Sequence, residues 1–332
     1  MSQVSYVQLS YVMPWRASEP AGSEMGSYLH ELSEWCEDVI VVDGSPADAY
    51  ATNAQLLGPF VRHLPPAAEH ACLMGKVAGV LTGLEVARHE HVVIADDDVR
   101  YRRSELEEIN SLLEQFDLVR PQNYFSPLVW HAAWDTARSL LNRAVGADYP
   151  GTLGIRRSTI LGAGGYDGDV LFENLELIRT VEAAGGSVCS PLDLFVARRP
   201  PTAGHFWGQR TRQAYDDFAI PARMTVWLSV LPYLAVCAGR RRLRPLPFGM
   251  VSIGLLAEYG RRRAGGRAYF PWKSSLLAPV WVLERGICAW LAVGQKLRFG
   301  GVRYGDSVIR VAAHSRRELR KRAQLRQGSR CP

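Results

Sequence analysis

The sequence lacks the cysteine spacing of a zinc module or of a disulfide framework. Its six cysteines are scattered over 332 residues and form no CxxC pair. The first ten residues, MSQVSYVQLS, lack the basic and apolar regions of a signal peptide, so a reducing cytoplasm is the expected compartment. A composition of 47% hydrophobic and 22% charged residues argues against a disordered chain, a collagen and a polytopic channel.

Acidic residues are scarce in the second part of the chain. Residues 1–200 carry 15 Lys and Arg against 27 Asp and Glu, whereas residues 201–332 carry 24 against 6. The net charge of +6 therefore divides into −12 and +18. This asymmetry indicates a folded body joined to a segment that seeks anions, either lipid headgroups or nucleic acid. Because the chain has no recognisable nucleic-acid motif, we expect no nucleic-acid partner.

Strand and helix patterns alternate in the first part. Short apolar runs at residues 6–13, 39–42 and 91–95 end abruptly in Pro14, Asp43 and Asp96. Such runs are typical of strands that are buried on both faces. Residues 74–88 show helical spacing between them. The pattern predicts an α/β fold with a mostly parallel central sheet, in which ligands bind at the carboxyl ends of the strands.

None of the apolar segments in the second part has both the length and the uncharged composition of an ordinary membrane-spanning helix. Apolar segments at 224–238, 246–256 and 276–294 alternate with arginine clusters, and the third contains Glu284-Arg285. The first is about 22 Å long as a helix, short of a roughly 30 Å hydrocarbon core. Interfacial or re-entrant membrane helices are predicted, and a buried helical subdomain is the alternative. The predicted domains are 1–222 (catalytic), 223–314 (membrane-associated) and 315–332 (basic tail).

The strongest chemical signal is the run of three aspartates that ends the third strand. Asp96 and Asp98 form a DxD pair whose carboxylates suit Mg²⁺ or Mn²⁺ together with a ligand's phosphates. A solvated turn after a strand is the alternative. Asp43, followed by Gly44-Ser45, ends another strand, and Lys76 lies at a helix start about thirty residues further on. The order and spacing of these features along the chain are more specific evidence for a function than any one of the features alone.

At these residues the chain resembles the family-2 glycosyltransferases of the GT-A fold, over roughly residues 5–220. The resemblance places Pro14 and Trp15 in the segment that contacts the nucleotide, and Asp43 at the base. It places Asp96 and Asp98 on the metal and diphosphate. The resemblance therefore implies a GT-A nucleotide-diphosphosugar transferase fold with C-terminal membrane-associated helices, and Mg²⁺ or Mn²⁺ as cofactor.

Two further motifs match this family with changes. The glycine-rich acceptor loop matches residues 162–169, and the (E/D)D motif matches Glu173-Asn174, where the family usually has Asp at the second position. The QxxRW motif matches Gln209–Gln213, with Gln213 in place of Trp. Gln209, Arg212 and Lys76 are thus expected to contact the donor. His205 is a candidate metal or phosphate ligand, with a packed or capping histidine as the alternative.

The general base is expected among three carboxylates, because the amide of Asn174 accepts no proton at neutral pH. Glu173 is the first candidate, and Asp167 and Glu176 are the reserves. Leu175, Ile178 and Val181 at helical spacing predict a helix that begins at Glu173, with Glu176 on the same face.

The sequence thus predicts a metal-dependent, inverting hexosyltransferase at the cell membrane, with its catalytic domain facing the cytoplasm. The expected partners are a nucleotide-diphosphate sugar donor, a lipid or envelope glycan acceptor and an anionic membrane surface. A catalytically degenerate binding protein of the same fold, or a nucleotidyltransferase, is the alternative.

Overall fold

The computed structural model describes residues 6–242, 244–305 and 307–328, with side chains up to Arg326. The chain forms two compact units. The sheet unit contains the residues up to Pro121, Tyr149–Val196 and the residues from His314 onward, and the helical unit contains Gln122–Asp148 and Ala197–Ala313. The predicted boundaries at 222 and 314 differ from this division and stay a prediction. Leu243 and the end of the predicted basic tail, including Arg330, lie outside the described residues.

The sheet unit is an α/β assembly, with elements numbered in chain order. Its strands are β1 (Val7–Trp15), β2 (Cys36–Asp43), β3 (Arg62–Leu64), β4 (His91–Ala95), β5 (Val99–Arg100), β6 (Leu118–Val119), β8 (Thr152–Arg156) and β9 (Val188–Cys189). Its helices are α1 (Ser23–Trp35), α2 (Ala47–Leu57), α3 (Gly75–Val86), α4 (Arg103–Leu113), α6 (Arg157–Gly162), α7 (Glu173–Ala183) and α13 (Arg316–Gly328), with a 3₁₀ turn at Ala68–His70.

Within the described residues, seven strands form one sheet in the order β3-β2-β1-β4-β8-β6-β9. The pairs β1–β2, β2–β3, β1–β4 and β6–β9 are parallel, whereas β8 runs antiparallel to both β4 and β6. The prediction of an α/β fold with a mostly parallel sheet is therefore confirmed. Because β2 and β4 both run parallel to β1, their carboxyl ends, with Asp43 and Asp96, lie at one edge of the sheet.

The three predicted apolar runs are strands, but the first does not end where expected. The parallel pairing of β1 with β2 continues through Pro14 and Trp15 as far as Asp43. The prediction that Pro14 stops this strand is wrong. Strand β4 pairs with β1 only over Ser10–Val12. Pro14 therefore lies beyond the doubly paired part, where a missing N–H costs at most one ladder bond.

Helix α3 packs closely over β1 because two of its residues have no side chain. A Cβ at Gly79 would lie 2.9 Å from the Cβ of Pro14, and one at Gly83 would overlap the methyl groups of Val12. The absence of these atoms lets the helix approach the strand, with Val77, Val80 and Leu84 fully buried. This packing fixes the N-terminal turn of α3, which carries Lys76, near the edge where β4 ends.

The helical unit consists mainly of helices. Its elements are β7 (Gln122–Phe125), α5 (Trp130–Val145), α8 (Ala203–Gly208), α9 (Arg210–Tyr215), α10 (Pro221–Gly239), α11 (Pro245–Arg262), α12 (Trp272–Phe299), β11 (Val302–Tyr304) and β12 (Ser307–Ile309), with 3₁₀ turns at Asp216–Ala219 and Arg263–Ala268. Strand β10 (Phe195–Arg198) runs across the boundary between the units. The three predicted apolar segments lie within α10, α11 and α12.

The charged pair in the middle of α12 is compensated inside the helical unit. Glu284 accepts two hydrogen bonds from Arg210, and Arg285 forms an ion pair with Asp217 at 2.7 Å. All of these side chains are buried or nearly so. By length and composition, α10 and α12 are each long and apolar enough to cross a membrane. Pairing removes the cost that an unpaired charge would impose on α12 in an apolar environment.

Candidate functional site

A lysine joins two acidic side chains at the sheet edge. The Nζ of Lys76 lies 2.5 Å from Oδ1 of Asp96 and 2.8 Å from Oε1 of Glu173. The three side chains keep between 14% and 20% of their surface exposed, so the cluster is shielded but reachable. Three residues far apart in sequence, each predicted as a site residue, thus lie together.

The local fold explains why Lys76, Asp96 and Glu173 lie close together. Asp96 follows β4 directly, and its backbone N–H donates to the carbonyl of Gly151. The residues before α3 are fastened to the glycine loop, residues 162–169, since Leu73 N–H donates to the Asp169 carboxylate and Met74 N–H to the Gly168 carbonyl. The glycine loop leads into α7, whose first residue is Glu173. These contacts bring the start of α3 and the start of α7 to the end of β4.

The cluster holds Lys76 as a cation. Burial disfavours its charged form, but the negative charges of Asp96 and Glu173 outweigh burial and raise the pKa of Lys76. Burial raises the pKa of Tyr166, whose ring lies in the same region and interacts electrostatically with Lys76. One ammonium against two carboxylates leaves the cluster negative overall, so it would suit a negatively charged ligand group only with a divalent cation bound beside Asp96.

Asn174 takes a positioning role at the start of α7. Its Nδ2 donates to the carbonyl of Pro150 at 3.1 Å, and its Oδ1 accepts from Lys76 at 3.4 Å. An aspartate here has no N–H for Pro150 and would add a third carboxylate beside Lys76. The amide that departs from the family pattern is therefore consistent with its surroundings, and Glu173 is the carboxylate that faces Lys76.

The turn after β4 has the chemistry of a divalent-metal site. The carbonyl of Asp96 accepts from Val99 N–H, which closes a turn that carries both Asp96 and Asp98, and both side chains are half-buried. Two carboxylates on one turn are a donor set that Mg²⁺ takes together with phosphate oxygens. Asp96 and Asp98 therefore fit the predicted cation, which would share the Asp96 carboxylate with Lys76.

Asp43, which the resemblance places at the nucleotide base, is buried in a network of hydrogen bonds at the end of β2. It is 1% exposed, and it accepts hydrogen bonds from Ser45 N–H, from Asn53 and from the Nε2 of His63. Burial opposes its ionisation, but these hydrogen bonds outweigh burial and lower the pKa of Asp43. In this structure Asp43 ties the end of β2 to α2 and β3, and its contact with a nucleotide base stays a prediction.

Pro14 and Trp15 lie beside this group. Trp15 is the residue that pairs with Asp43 across the β1–β2 ladder, and its carbonyl accepts from Gly44 N–H at 2.9 Å. Its indole Nε1 is buried, with no hydrogen-bond partner among the described residues. Both residues are half-buried at the edge, where the sequence predicts the nucleotide.

Asp167 and Glu176, the two other candidates for the general base, belong to a second cluster. Glu176 is fully buried, and it accepts hydrogen bonds from both the backbone N–H and the Nδ1 of His314. Asp167 accepts from Arg322 at 3.0 Å and from Asp169 N–H. The hydrogen bond to Glu176 raises the pKa of His314. Although Glu173 and Glu176 lie three residues apart on one helix, they face different partners, and only Glu173 faces Lys76.

The remaining predicted residues lie in the helical unit. The ring of His205 contacts the side chain of Gln209, and its backbone N–H donates to the Thr202 hydroxyl that caps α8. Arg212 stacks over the ring of Tyr304, with 4.6 Å between the guanidinium carbon and the ring centroid. Their predicted contacts with donor or metal stay predictions.

Several residues around these groups are not apparent from the sequence. Asn53 and His63 hold Asp43, and Tyr166 lies beside Lys76. His314 and Arg322 reach the sheet unit from the far end of the chain. No motif marks them, because each is brought into place by packing between segments that are distant in sequence.

Comparison with known proteins gives structural likeness alone. No family model matches the chain, and no curated protein matches it. A mannosyltransferase from Pyrobaculum calidifontis, solved with GDP-Man and Mn²⁺, is similar with a TM-score of 0.49 and 14% identity, over 85% of this chain and 87% of that chain. Glucosyl-3-phosphoglycerate synthase from Mycobacterium tuberculosis, solved with Mn²⁺, UDP and glucosyl-3-phosphoglycerate, has a TM-score of 0.41 and 20% identity, over 60% and 75% of the two chains. Mannosyl-3-phosphoglycerate synthase from Rubrobacter xylanophilus has a TM-score of 0.42 and 15% identity, over 60% and 70%.

Proposed function

We propose that this chain is an inverting glycosyltransferase that moves a sugar from a nucleotide-diphosphate donor to an acceptor hydroxyl at a membrane. One observation carries the proposal: Lys76 lies between Asp96, a predicted metal ligand, and Glu173, the first candidate for the general base. With a divalent cation held by Asp96, the arrangement would supply positive charge and a proton acceptor within one shielded cluster. A transfer from a diphosphate leaving group needs both.

Each residue then has a defined task. Asp96 and Asp98 would hold Mg²⁺ or Mn²⁺, which offsets negative charge on the departing diphosphate when it is bound. Lys76 adds a second positive charge beside the same phosphates. Glu173 accepts the proton of the acceptor hydroxyl, whose oxygen bonds to the anomeric carbon as the bond from that carbon to the diphosphate oxygen breaks. A single displacement of this kind inverts the anomeric centre.

The donor half of the proposal is tested by binding. The full-length protein in detergent micelles is titrated with UDP- and GDP-sugars, with and without Mn²⁺, and thermal stabilisation is measured. We expect Asp96→Asn combined with Asp98→Asn to abolish Mn²⁺-dependent stabilisation by nucleotide while the protein stays folded. A double variant that binds nucleotide like the parent would exclude this metal role.

The base is tested by turnover, measured as release of nucleoside diphosphate in the presence of a lipid acceptor extract. Glu173→Gln should lower turnover roughly a hundredfold or more with donor binding retained. Glu31→Gln, a change of the same kind at an exposed position of α1, is the matched control and should stay within a few-fold of the parent. Retained turnover in Glu173→Gln moves the base elsewhere. Formation of pyrophosphate in a parallel assay, supplied with a nucleoside triphosphate and a sugar 1-phosphate, would instead indicate a nucleotidyltransferase.

The membrane half of the proposal is supported by exposed apolar side chains on α10, α11 and α12. Phe248 and Leu297 are each more than three-quarters exposed, and Leu255, Leu276 and Trp272 are more than half exposed. So much exposed apolar surface marks an interaction or membrane face. Arginines at the helix ends suit an anionic leaflet.

We assign the catalytic face to the cytoplasm, where nucleotide sugars are made. Cell fractionation tests the location: the full chain should sediment with membranes and remain there after a high-salt wash. Protease added to intact cells should leave the sheet unit uncut. Recovery of the full chain in the supernatant at low salt would identify α10–α12 as part of a protein that works away from membranes.

A further inference from the structure

The C-terminal helix α13 packs against the glycine loop and α7. His314 lies just before α13. It donates hydrogen bonds to the buried carboxylate of Glu176, and the backbone carbonyl of His314 accepts a hydrogen bond from Arg179. Arg316 then forms a two-bond ion pair with Glu182 of α7, at 2.7 and 3.0 Å. The segment 314–326, here called the arm, is therefore fastened along α7, the helix that begins with Glu173.

The same face of the arm reaches the glycine loop. Arg322 donates to Asp167 at 3.0 Å, and Arg326 donates to the carbonyls of Ala163 and Gly164. Gly164 has a φ of +75°, a left-handed conformation that leaves its carbonyl turned toward the arm at little steric cost. Leu319 is buried on this face, over a cavity of about 130 Å³ between the arm and the loop.

The side of the arm that faces away from the glycine loop carries exposed cations. At 3.6 residues per turn, Arg317 and Lys321 lie about 160° around α13 from Leu319, and Arg320 lies on the flank, about 100° from Leu319. All three are exposed, and in the part of the chain that the structure describes none of them forms an ion pair. The acid of this helix, Glu318, is bonded to Arg322 at 2.9 Å.

We propose that the arm has two functional faces: the inner face holds the glycine loop and α7 in place, while Arg317, Arg320 and Lys321 bind the anionic phospholipid headgroups of a membrane. Charge complementarity identifies the partner. Leu325, 66% exposed, follows Lys321 by one turn and supplies the apolar contact of an interfacial helix. The arm has no aromatic residue on which single-stranded nucleic acid stacks.

The inference deepens the membrane part of the proposed function and rests on it. Binding of the outer face brings the glycine loop and α7 to the headgroup layer, where a lipid-linked acceptor lies. Each cation near an anionic surface contributes about a fivefold gain in partition, so three contribute roughly a hundredfold.

The test uses the full-length protein and vesicles of phosphatidylcholine alone or with 30% phosphatidylglycerol added, as ~10² nm liposomes in flotation. The outer variant, Arg317→Gln with Arg320→Gln and Lys321→Gln, should lose at least tenfold of the preference for phosphatidylglycerol. The inner variant, Leu319→Ala, removes a buried contact of the inner face without changing any charge, so it is the control on the same helix and should keep that preference within about threefold. An outer variant with unchanged preference overturns the lipid contact.

Hydrogen exchange of residues 162–169 separates the two faces. The inner variant should exchange these amides at least tenfold faster than the parent, and the outer variant should match the parent. Equal exchange in all three proteins overturns the holding role, and displacement of the arm from vesicles by duplex DNA at 0.15 M salt overturns the choice of partner. Neither readout needs a donor or turnover, so failure here is distinct from failure of the transferase proposal.

Discussion

Replacing Lys76 by Met removes the cation between two carboxylates while keeping the length of the side chain. At 2.5 and 2.8 Å, each N–O pair has a gross attraction of roughly 6 kcal/mol at an effective dielectric of about 20. Desolvation offsets most of that attraction. Removing one partner of a buried pair costs about 3–5 kcal/mol, because the other charge is left uncompensated. Since these side chains keep some exposure, we expect about 3 kcal/mol, near the low end.

The expected loss is large enough to measure. For a unit of this size, about 3 kcal/mol corresponds to a fall in Tm of roughly 6–12 °C. The assay is thermal unfolding of the full-length protein, with hydrogen exchange of α7 amides to assign the transition to the sheet unit. Lys273→Met, at an exposed position in the helical unit, is the matched control and should stay within about 0.5 kcal/mol of the parent.

A second variant separates the cluster from general packing. In the double variant Lys76→Met with Glu173→Gln, one uncompensated carboxylate is gone. The double variant should therefore be about 1–2 kcal/mol more stable than the sum of the two single losses predicts. Added Mn²⁺ should stabilise Lys76→Met more than the parent, because Asp96 then has no ammonium beside it. A Lys76→Met protein as stable as the Lys273→Met control, with additive single effects, would refute the shared-cation interpretation.

Three further outcomes follow from the structure. Asp43→Asn should cost about 2 kcal/mol at pH 7, and since the folded-state pKa of Asp43 is lowered, the gap to the parent should close as denaturation is measured below about pH 4. His314→Gln should destabilise most below about pH 6.5 and progressively less as the pH rises through the raised pKa of His314, because the charged ring is what Glu176 binds. Gly83→Ala should cost about 1–3 kcal/mol in thermal unfolding, since its Cβ would overlap Val12, whereas an unchanged Tm would show that α3 can move away from β1.

The sequence predicts the parts of the fold that depend on local patterns. The strand before Asp96 and the helix that begins at Glu173 lie where periodicity and apolar runs place them, because burial of one segment against its neighbours leaves a local pattern. The position of Asp43 and Asp96 at one edge of the sheet follows from the rule for parallel strands.

Other features depend on contacts between segments that are distant in sequence. The burial of Asp43 requires His63, which lies on a strand of three residues, too short to leave a periodic pattern. The basic segment 315–332 is predicted as a separate tail, whereas residues from His314 to Arg326 pack within the sheet unit. Composition shows that the segment is basic. It does not show that Glu176 and Asp167 lie where they bind His314 and Arg322.

The path of the chain through its two units has a consequence for synthesis. The sheet unit is assembled from three separate segments, and the last of them begins at His314, 131 residues after the end of α7 at Ala183. At about 5–20 residues per second, a ribosome needs roughly 6–26 s to cover that interval. During that interval, Glu176 of the nascent sheet unit lacks its partner His314. Trimming or fusing the C-terminal end during expression therefore alters the folding of the sheet unit itself.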